Sequence, residues 1–241
     1  VEQAIARHLG KYIEDGTTIQ IGVGGIPDAV MASLGDRRDL GFHSGLINDR
    51  VAELIERGVV TNARKPIDTG LTITGALLGT NLLYDFAQQN AAIRVCPWKH
   101  THSANILARL DRFFALNSAI EVDLTGQVNA EVAGDSYIGG LGGQGDFVRG
   151  AQLAERGRSV IALPATARNG TASRIVARLA SGIVTTSRGD ADLIATEFGV
   201  AELRGQPLDE RVRRMAAISH PAFREALERE GDAMVRGRKS W

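Results

Sequence analysis

Ala4, Ile5, His8, Leu9 and Ile13 recur at helical spacing, and a β-branched run, Thr17 to Ile21, follows them. That order predicts a helix and then a short strand. Gly22-Val23-Gly24-Gly25 turns the chain into a second helix through Pro27, Asp28, Ala29, Val30 and Met31. A proline near the first helical turn is well tolerated there. The rhythm repeats, with a strand end at 39–43 and a helix over 48–57, then a strand over 71–78 and a helix over 81–89. A short strand is expected at 93–95. Ile120, Val122 and Leu124 alternate, which predicts a strand over 118–125. Further strands are expected at 159–163, 182–186 and 193–196, and amphipathic helices over 208–218 and 223–227 close the chain. Strands alternating with helices predict an α/β fold, an open and mostly parallel sheet flanked by helices. No low-complexity linker divides it, so residues 1–241 read as a single domain.

The length of 241 residues suits one large α/β domain or two small ones. Basic and acidic residues balance at 28 each, without the basic surplus of a nucleic-acid binder. The basic run at 236–239 reads as a solvated tail. No apolar stretch is long enough for a membrane span, and no signal-peptide pattern opens the chain, so a cytoplasmic setting is the default. The one cysteine, Cys96, has no partner for an internal disulfide. It ends an apolar run and reads as a buried structural thiol. No His, Cys or carboxylate spacing suggests a metal site. Val1 already lies inside a helical pattern, as if a front part of the protein preceded it.

Glycine is clustered. One cluster is Gly22-Val23-Gly24-Gly25, and the other is Gly139-Gly140-Leu141-Gly142-Gly143-Gln144-Gly145, followed by Asp146-Phe147. Such runs permit positive φ and expose backbone N–H groups, and at a helix N-terminus those groups form an anion site. Phosphate or the oxyanion of a thioester adduct suits it. Tight turns are the alternative reading. The pattern G-x-G-G is neither the six-residue dinucleotide fingerprint nor a Walker loop.

Longer strings carry a resemblance. They are Ile21 to Val30, Val60 to Lys65, Asn117 to Val128, Gly142 to Phe147, Leu163-Pro164-Ala165-Thr166-Ala167-Arg168 and Ser219-His220-Pro221-Ala222-Phe223-Arg224. In this order they resemble the acetyl-CoA hydrolase/transferase family, which includes 4-hydroxybutyrate and succinyl-CoA:acetate CoA-transferases. The resemblance implies a CoA-transferase (NagB-like) fold built from two similar α/β domains. This chain is similar to the second, and the N-terminal domain is absent from it. Coenzyme A would be substrate and product, a small carboxylate the second substrate, and the assembly a homo-oligomer or a pairing with an N-terminal half.

In the family a glutamate attacks the acyl-CoA thioester and forms covalent intermediates. Its segment resembles His-Thr-Glu-Met, and here His43-Ser44-Gly45-Leu46 places Gly45 at the nucleophile position. His102-Ser103-Ala104 stands where relatives carry Asn-Asp-Pro. His102 is therefore a candidate catalytic residue, either hydrogen-bonding a thioester or activating water, and a solvated loop histidine is its rival reading. Gly24 and Gly25 are the other catalytic candidates. By the same resemblance Gly142, Gly143, Gln144 and Arg168 are expected to bind coenzyme A. Glu121 and Asp123 read as structural, Asp146 as a helix cap, Glu197 as a strand-end carboxylate and His220 as a helix start. Three functions stay open: a CoA-transferase whose nucleophile comes from elsewhere, an acyl-CoA hydrolase using His102 and water, and an inactive CoA-binding subunit.

Overall fold

A computed structural model describes residues 1–237 of the chain, so Arg238 and Lys239 of the basic run at 236–239 lie outside the described residues. The first helix, α1 (Glu2–Gly10), buries Ile5, Ala6 and Leu9 as one stripe. β1 (Thr18–Ile21) is buried along its length. It leads through Gly24, whose φ of 127° favours glycine, into α2 (Gly25–Ala32). After β2 (Gly41–Phe42) comes α3 (Asp49–Glu56), whose cap, Asn48, accepts the Val51 N–H. Next are β3 (Thr72–Thr74), α4 (Asn81–Ala87), β4 (Ile93–Val95) and two short helices, α5 (Trp98–Thr101) and α6 (Ala104–Leu107).

The central strand, β5 (Phe113–Ser118), is followed by four short strands: β6 (Glu121–Asp123), β7 (Val128–Asn129), β8 (Val132–Ala133) and β9 (Ser136–Tyr137). Then come α7 (Gln144–Leu153) and β10 (Arg158–Ala162). Short strands β11 (Thr166–Ala167), β12 (Ala172–Ser173) and β13 (Ile175–Val176) precede β14 (Leu193–Thr196) and β15 (Gly199–Glu202). Helices α8 (Leu208–Ala217) and α9 (Pro221–Arg236) end the described chain.

The main sheet has the order β15-β14-β10-β5-β1-β2. Every pairing in it is parallel except β14 with β15, which is antiparallel. Side chains alternate across it, as strand geometry requires. Phe114, Leu116, Val160, Ala162, Leu193 and Ala195 join the core beneath α1, α2 and α3. Ile161 and Ile194 face the second core, with α8 and α9, while Phe113 and Ala115 pack with α6 and α7. From β1 the chain steps outward to β2, then returns to β5 on the other side of β1. That reversal opens a crevice at the carboxyl ends of β1 and β5, where ligands of open α/β sheets bind.

The expected α/β sheet is present, and its central strand is the main departure from the sequence reading. The apolar run Phe113-Phe114-Ala115-Leu116 is the sheet's middle, covered by helices on both faces and therefore without alternation. The alternation at 120–124 belongs instead to a three-stranded satellite, β13-β6-β7. The strand expected over 71–78 stops at Thr74, because the chain turns and the Gly75 N–H donates to the Gly45 carbonyl. Residues 182–186 form no strand and touch Val128 through a single bridge at Thr186. The last helix runs to Arg236, well past 227. Cys96 is half-buried, less enclosed than its apolar run implied.

Candidate functional site

A cleft of about 420 Å³ opens at the β1/β5 crevice. Its floor is Gln20, Ile21 and Gly22 at the end of β1, with Asn117 at the end of β5. Gln20 and Asn117 exchange reciprocal side-chain amide hydrogen bonds, at 3.3 and 3.2 Å. Both are buried, so the pair satisfies itself across the two strands. One wall is the loop after β2, with Gly45 and Leu46, and the loop after β3, with Ala76, Leu77 and Leu78. The other wall is Gly142, Gly143, Gln144 and Phe147 at the start of α7. Trp98 and His102 of the α5 region close the back. The lining is largely apolar, a character suited to an organic ligand with few fixed polar contacts.

His102 sits at the centre of this arrangement. Its ring meets Trp98 edge-on at 4.7 Å between centroids and Phe147 at 4.5 Å. Its Nδ1 hydrogen-bonds the Thr101 hydroxyl at 2.8 Å. Its other nitrogen points between Gly45 and Gly143. A Cβ on Gly45 would lie 3.2 Å from Nε2, and a Cβ on Gly143 would overlap it. Burial lowers the His102 pKa, and the charge of Asp146 opposes that shift only in part. The shift favours the neutral imidazole over the imidazolium.

The second glycine cluster reaches α7 with free donors. Gly142 has a φ of 56°, a conformation that favours glycine, and Gly143 is the N-cap of α7. Among the described residues neither N–H donates a hydrogen bond within the protein. Both flank the cleft where the positive end of the α7 dipole emerges. Gln144 also lines the cleft, but its Nε2 is held by Thr186 Oγ1 at 2.9 Å. Asp146 lies inside the first turn of α7 and makes no capping hydrogen bond, contrary to the expected cap.

The remaining candidates lie elsewhere. Gly24 lines a neighbouring groove with Val23, Leu46 and Leu78. Gly25 is packed by the Glu2 carboxylate, so an acidic side chain already sits at the α2 N-terminus. Arg168 is exposed in the turn between β11 and β12 and does not line the cleft. Asp123 accepts from Thr125 and Gln127, and Glu121 from Asn129, which are structural contacts. Glu197 accepts the Ala165 N–H, and His220 caps α9 as expected. Among the described residues no group of three or more His, Cys, Asp or Glu could hold a metal ion. No described helix is long and apolar enough to cross a membrane.

Gln20, Asn117, Trp98 and Phe147 were not anticipated as site residues. Trp98 and His102 stand four apart, a spacing that places both on one helical face. Gln20 and Asn117 meet only through strand pairing and leave no local signal.

A model of the acetyl-CoA hydrolase/transferase C-terminal domain matches residues 79–231. The chain is 42% identical over 231 residues to 4-hydroxybutyrate coenzyme A transferase of Clostridium kluyveri, covering 95% of this chain and 54% of that protein. It is 40% identical over 237 residues to succinyl-CoA:cyclohexane-1-carboxylate CoA transferase of Geobacter metallireducens, covering 98% and 54%. A crystal structure of RipA from Yersinia pestis superposes with a TM-score of 0.90 at 38% identity, covering 97% of this chain and 52% of that one. The chain spans about half the length of the curated relatives it matches.

Proposed function

The chain belongs to the acetyl-CoA hydrolase/transferase C-terminal domain family, and from that premise we propose that its cleft is the thioester site of a CoA-transferase acting on a small acyl-CoA. One observation carries the mechanistic part of the reading. Among the described residues that line the cleft there is no carboxylate, and His102 is its one ionisable side chain. Position 45, where a nucleophilic carboxylate is expected by resemblance, has no side chain. The attacking oxygen is then the acceptor's own carboxylate, already anionic and needing no general base.

In this reaction the acceptor oxygen bonds to the thioester carbonyl carbon, and the C=O electron pair moves onto oxygen. The free N–H groups of Gly142 and Gly143 supply hydrogen bonds to that oxyanion. Collapse expels the CoA thiolate and leaves a mixed anhydride. The thiolate then attacks the acceptor's carbonyl carbon and releases the donor as a free carboxylate. Bonds and charge balance without a proton transfer. Apolar Ile21, Leu46, Leu77 and Leu78 would enclose an uncharged acyl chain. The cleft and its free amides also support coenzyme A binding by Gly142 and Gly143, with Gln144 holding the loop rather than the ligand.

Acyl exchange tests the reading. The purified protein is incubated with acetyl-CoA or butyryl-CoA, with and without a second carboxylate, while free thiol and new acyl-CoA are followed. Exchange that requires the acceptor is expected, and borohydride should trap no glutamyl-CoA adduct on this chain. Thiol release at full rate without acceptor would make the protein a hydrolase. Binding of CoA with neither activity would leave a non-catalytic CoA-binding subunit.

A further inference from the structure

The Thr101 side chain is fully buried, and its hydroxyl has one hydrogen-bond partner among the described residues, His102 Nδ1 at 2.8 Å. The Pro97 carbonyl, one turn back, is already taken by the N–H groups of His100 and Thr101. A hydroxyl carries one hydrogen that needs an acceptor, and a neutral imidazole carries one N–H and one bare nitrogen. If Nδ1 held the proton, it would donate to the hydroxyl oxygen, and the hydroxyl hydrogen would be left unpaired where no water reaches it. If Nδ1 is bare, the hydroxyl donates to it and both groups are satisfied.

We infer that Thr101 fixes His102 with its proton on Nε2, so that the ring is a hydrogen-bond donor into the gap between Gly45 and Gly143 and not a base. Nε2 has no partner within the protein among the described residues. It lies so close to Gly143 that a Cβ there would collide with it. The Nε2–H therefore adds a third donor beside the Gly142 and Gly143 amides. A nitrogen that already holds a proton cannot accept one from water, which separates the two roles that the sequence left open for His102. Thr101 is a positioning residue, and His102 is the group that touches the reacting oxygen. The tautomer follows from hydrogen bonding alone, whereas its catalytic use rests on the thioester reading above.

Long-range proton–nitrogen NMR on protein labelled with 15N-histidine tests the tautomer without any substrate. The chain has five histidines, and His102 is assigned by the signal missing in His102→Gln. At pH 7 the expected spectrum has a protonated Nε2 and a bare Nδ1, in roughly tenfold or greater excess over the other form. A protonated Nδ1 in the wild-type protein would overturn the inference. Thr101→Val should mix the tautomers and lower kcat about twofold, in proportion to the Nε2–H population that remains, with KM nearly unchanged, while Thr101→Ser restores both. Tautomers that stay unmixed in Thr101→Val would remove Thr101 from its role. The kcat of the wild-type enzyme should not fall on the acid side through ionisation of His102, because the imidazolium donates as well; an acid limb that vanishes in His102→Gln would mark a base. The expected tautomer in a protein that turns over no acyl-CoA would sink the thioester reading and leave the tautomer standing.

Discussion

One imidazole fills the space between two glycines, and the two glycines tolerate change unequally. A methyl group on Gly45 would meet His102 Cε1 at 3.0 Å, which a shift of a few tenths of an ångström relieves. A methyl group on Gly143 would overlap the Nε2 edge of the same ring. Gly143 has a φ of −93°, so alanine there brings no backbone strain and any loss reports the displaced ring. Gly45→Ala is expected to keep kcat/KM within about threefold, while Gly143→Ala lowers it about a hundredfold, the scale of losing one oxyanion donor. Steady-state kinetics on both variants, with melting temperatures to confirm folding, checks the contrast. Equal losses would mean that the ring position does not matter. The sequence pointed to Gly45, His102, Gly142, Gly143 and Gln144 through motif strings. It was silent on which of them meet, because contact across the cleft depends on how distant strands pair.

Among the elements, β14 is anchored by a carboxylate that reaches its neighbours on both sides. Asp192 is buried and binds Arg158 of β10 at 2.9 Å and Arg204, just past β15, at 2.9 Å. It also accepts the Ser159 N–H. Removing one partner of a buried ion pair leaves charge uncompensated and costs about 3–5 kcal/mol. Both arginines keep contact with water, which lowers the expected loss for Asp192→Ala to about 2–3 kcal/mol. Urea unfolding should show the midpoint falling at constant slope; an unchanged midpoint would mean that water replaces the carboxylate at no cost. The alternation of strands and helices was legible because helices such as α3 carry both a cap and a clear apolar stripe. The central strand was not, since a strand covered on both faces loses the period-2 signature that marks half-buried ones. The short strands β7 to β9 and β11 to β13 lack the length for any periodic pattern, and only tertiary contact defines them.

The pH dependence of the whole molecule's stability follows from two bases buried below the cleft. His43 is fully buried, neither ring nitrogen has a hydrogen-bond partner of good geometry beyond a weak contact with the Thr101 backbone, and its ring stacks on His100 at 5.8 Å. Burial first, and then the charges of Lys65 and His100, push its pKa from 6.5 down to about 3. Lys65 is also buried, with Nζ donating to the carbonyls of Phe42 at 3.1 Å and Leu71 at 2.8 Å. Burial lowers its pKa from 10.5 to about 8. In each case the unfolded chain takes up its proton at a higher pH than the native one. Between the two values the unfolded state holds more protons, and stability rises with pH. The His43 contribution is present above pH 6.5 and lost as pH falls toward 3, whereas the penalty of charged Lys65 is full below pH 8 and relieved as pH climbs toward 10.5. At about 1.4 kcal/mol per pH unit, each limb amounts to a few kcal/mol. His43→Leu removes two poorly partnered nitrogens along with the titration, so it should flatten the acid limb without loss of stability at pH 7. Lys65→Met should flatten the alkaline limb and, by removing one of the charges that lower the His43 pKa, also shorten the acid limb; at pH 7 it exchanges the charge penalty for two carbonyls left without a donor. Urea midpoints from pH 4 to 10 on the wild type and both variants separate the two contributions. An acid limb that survives in His43→Leu would assign the sensitivity to other groups and leave the imidazole beneath Gly45 without influence on folding.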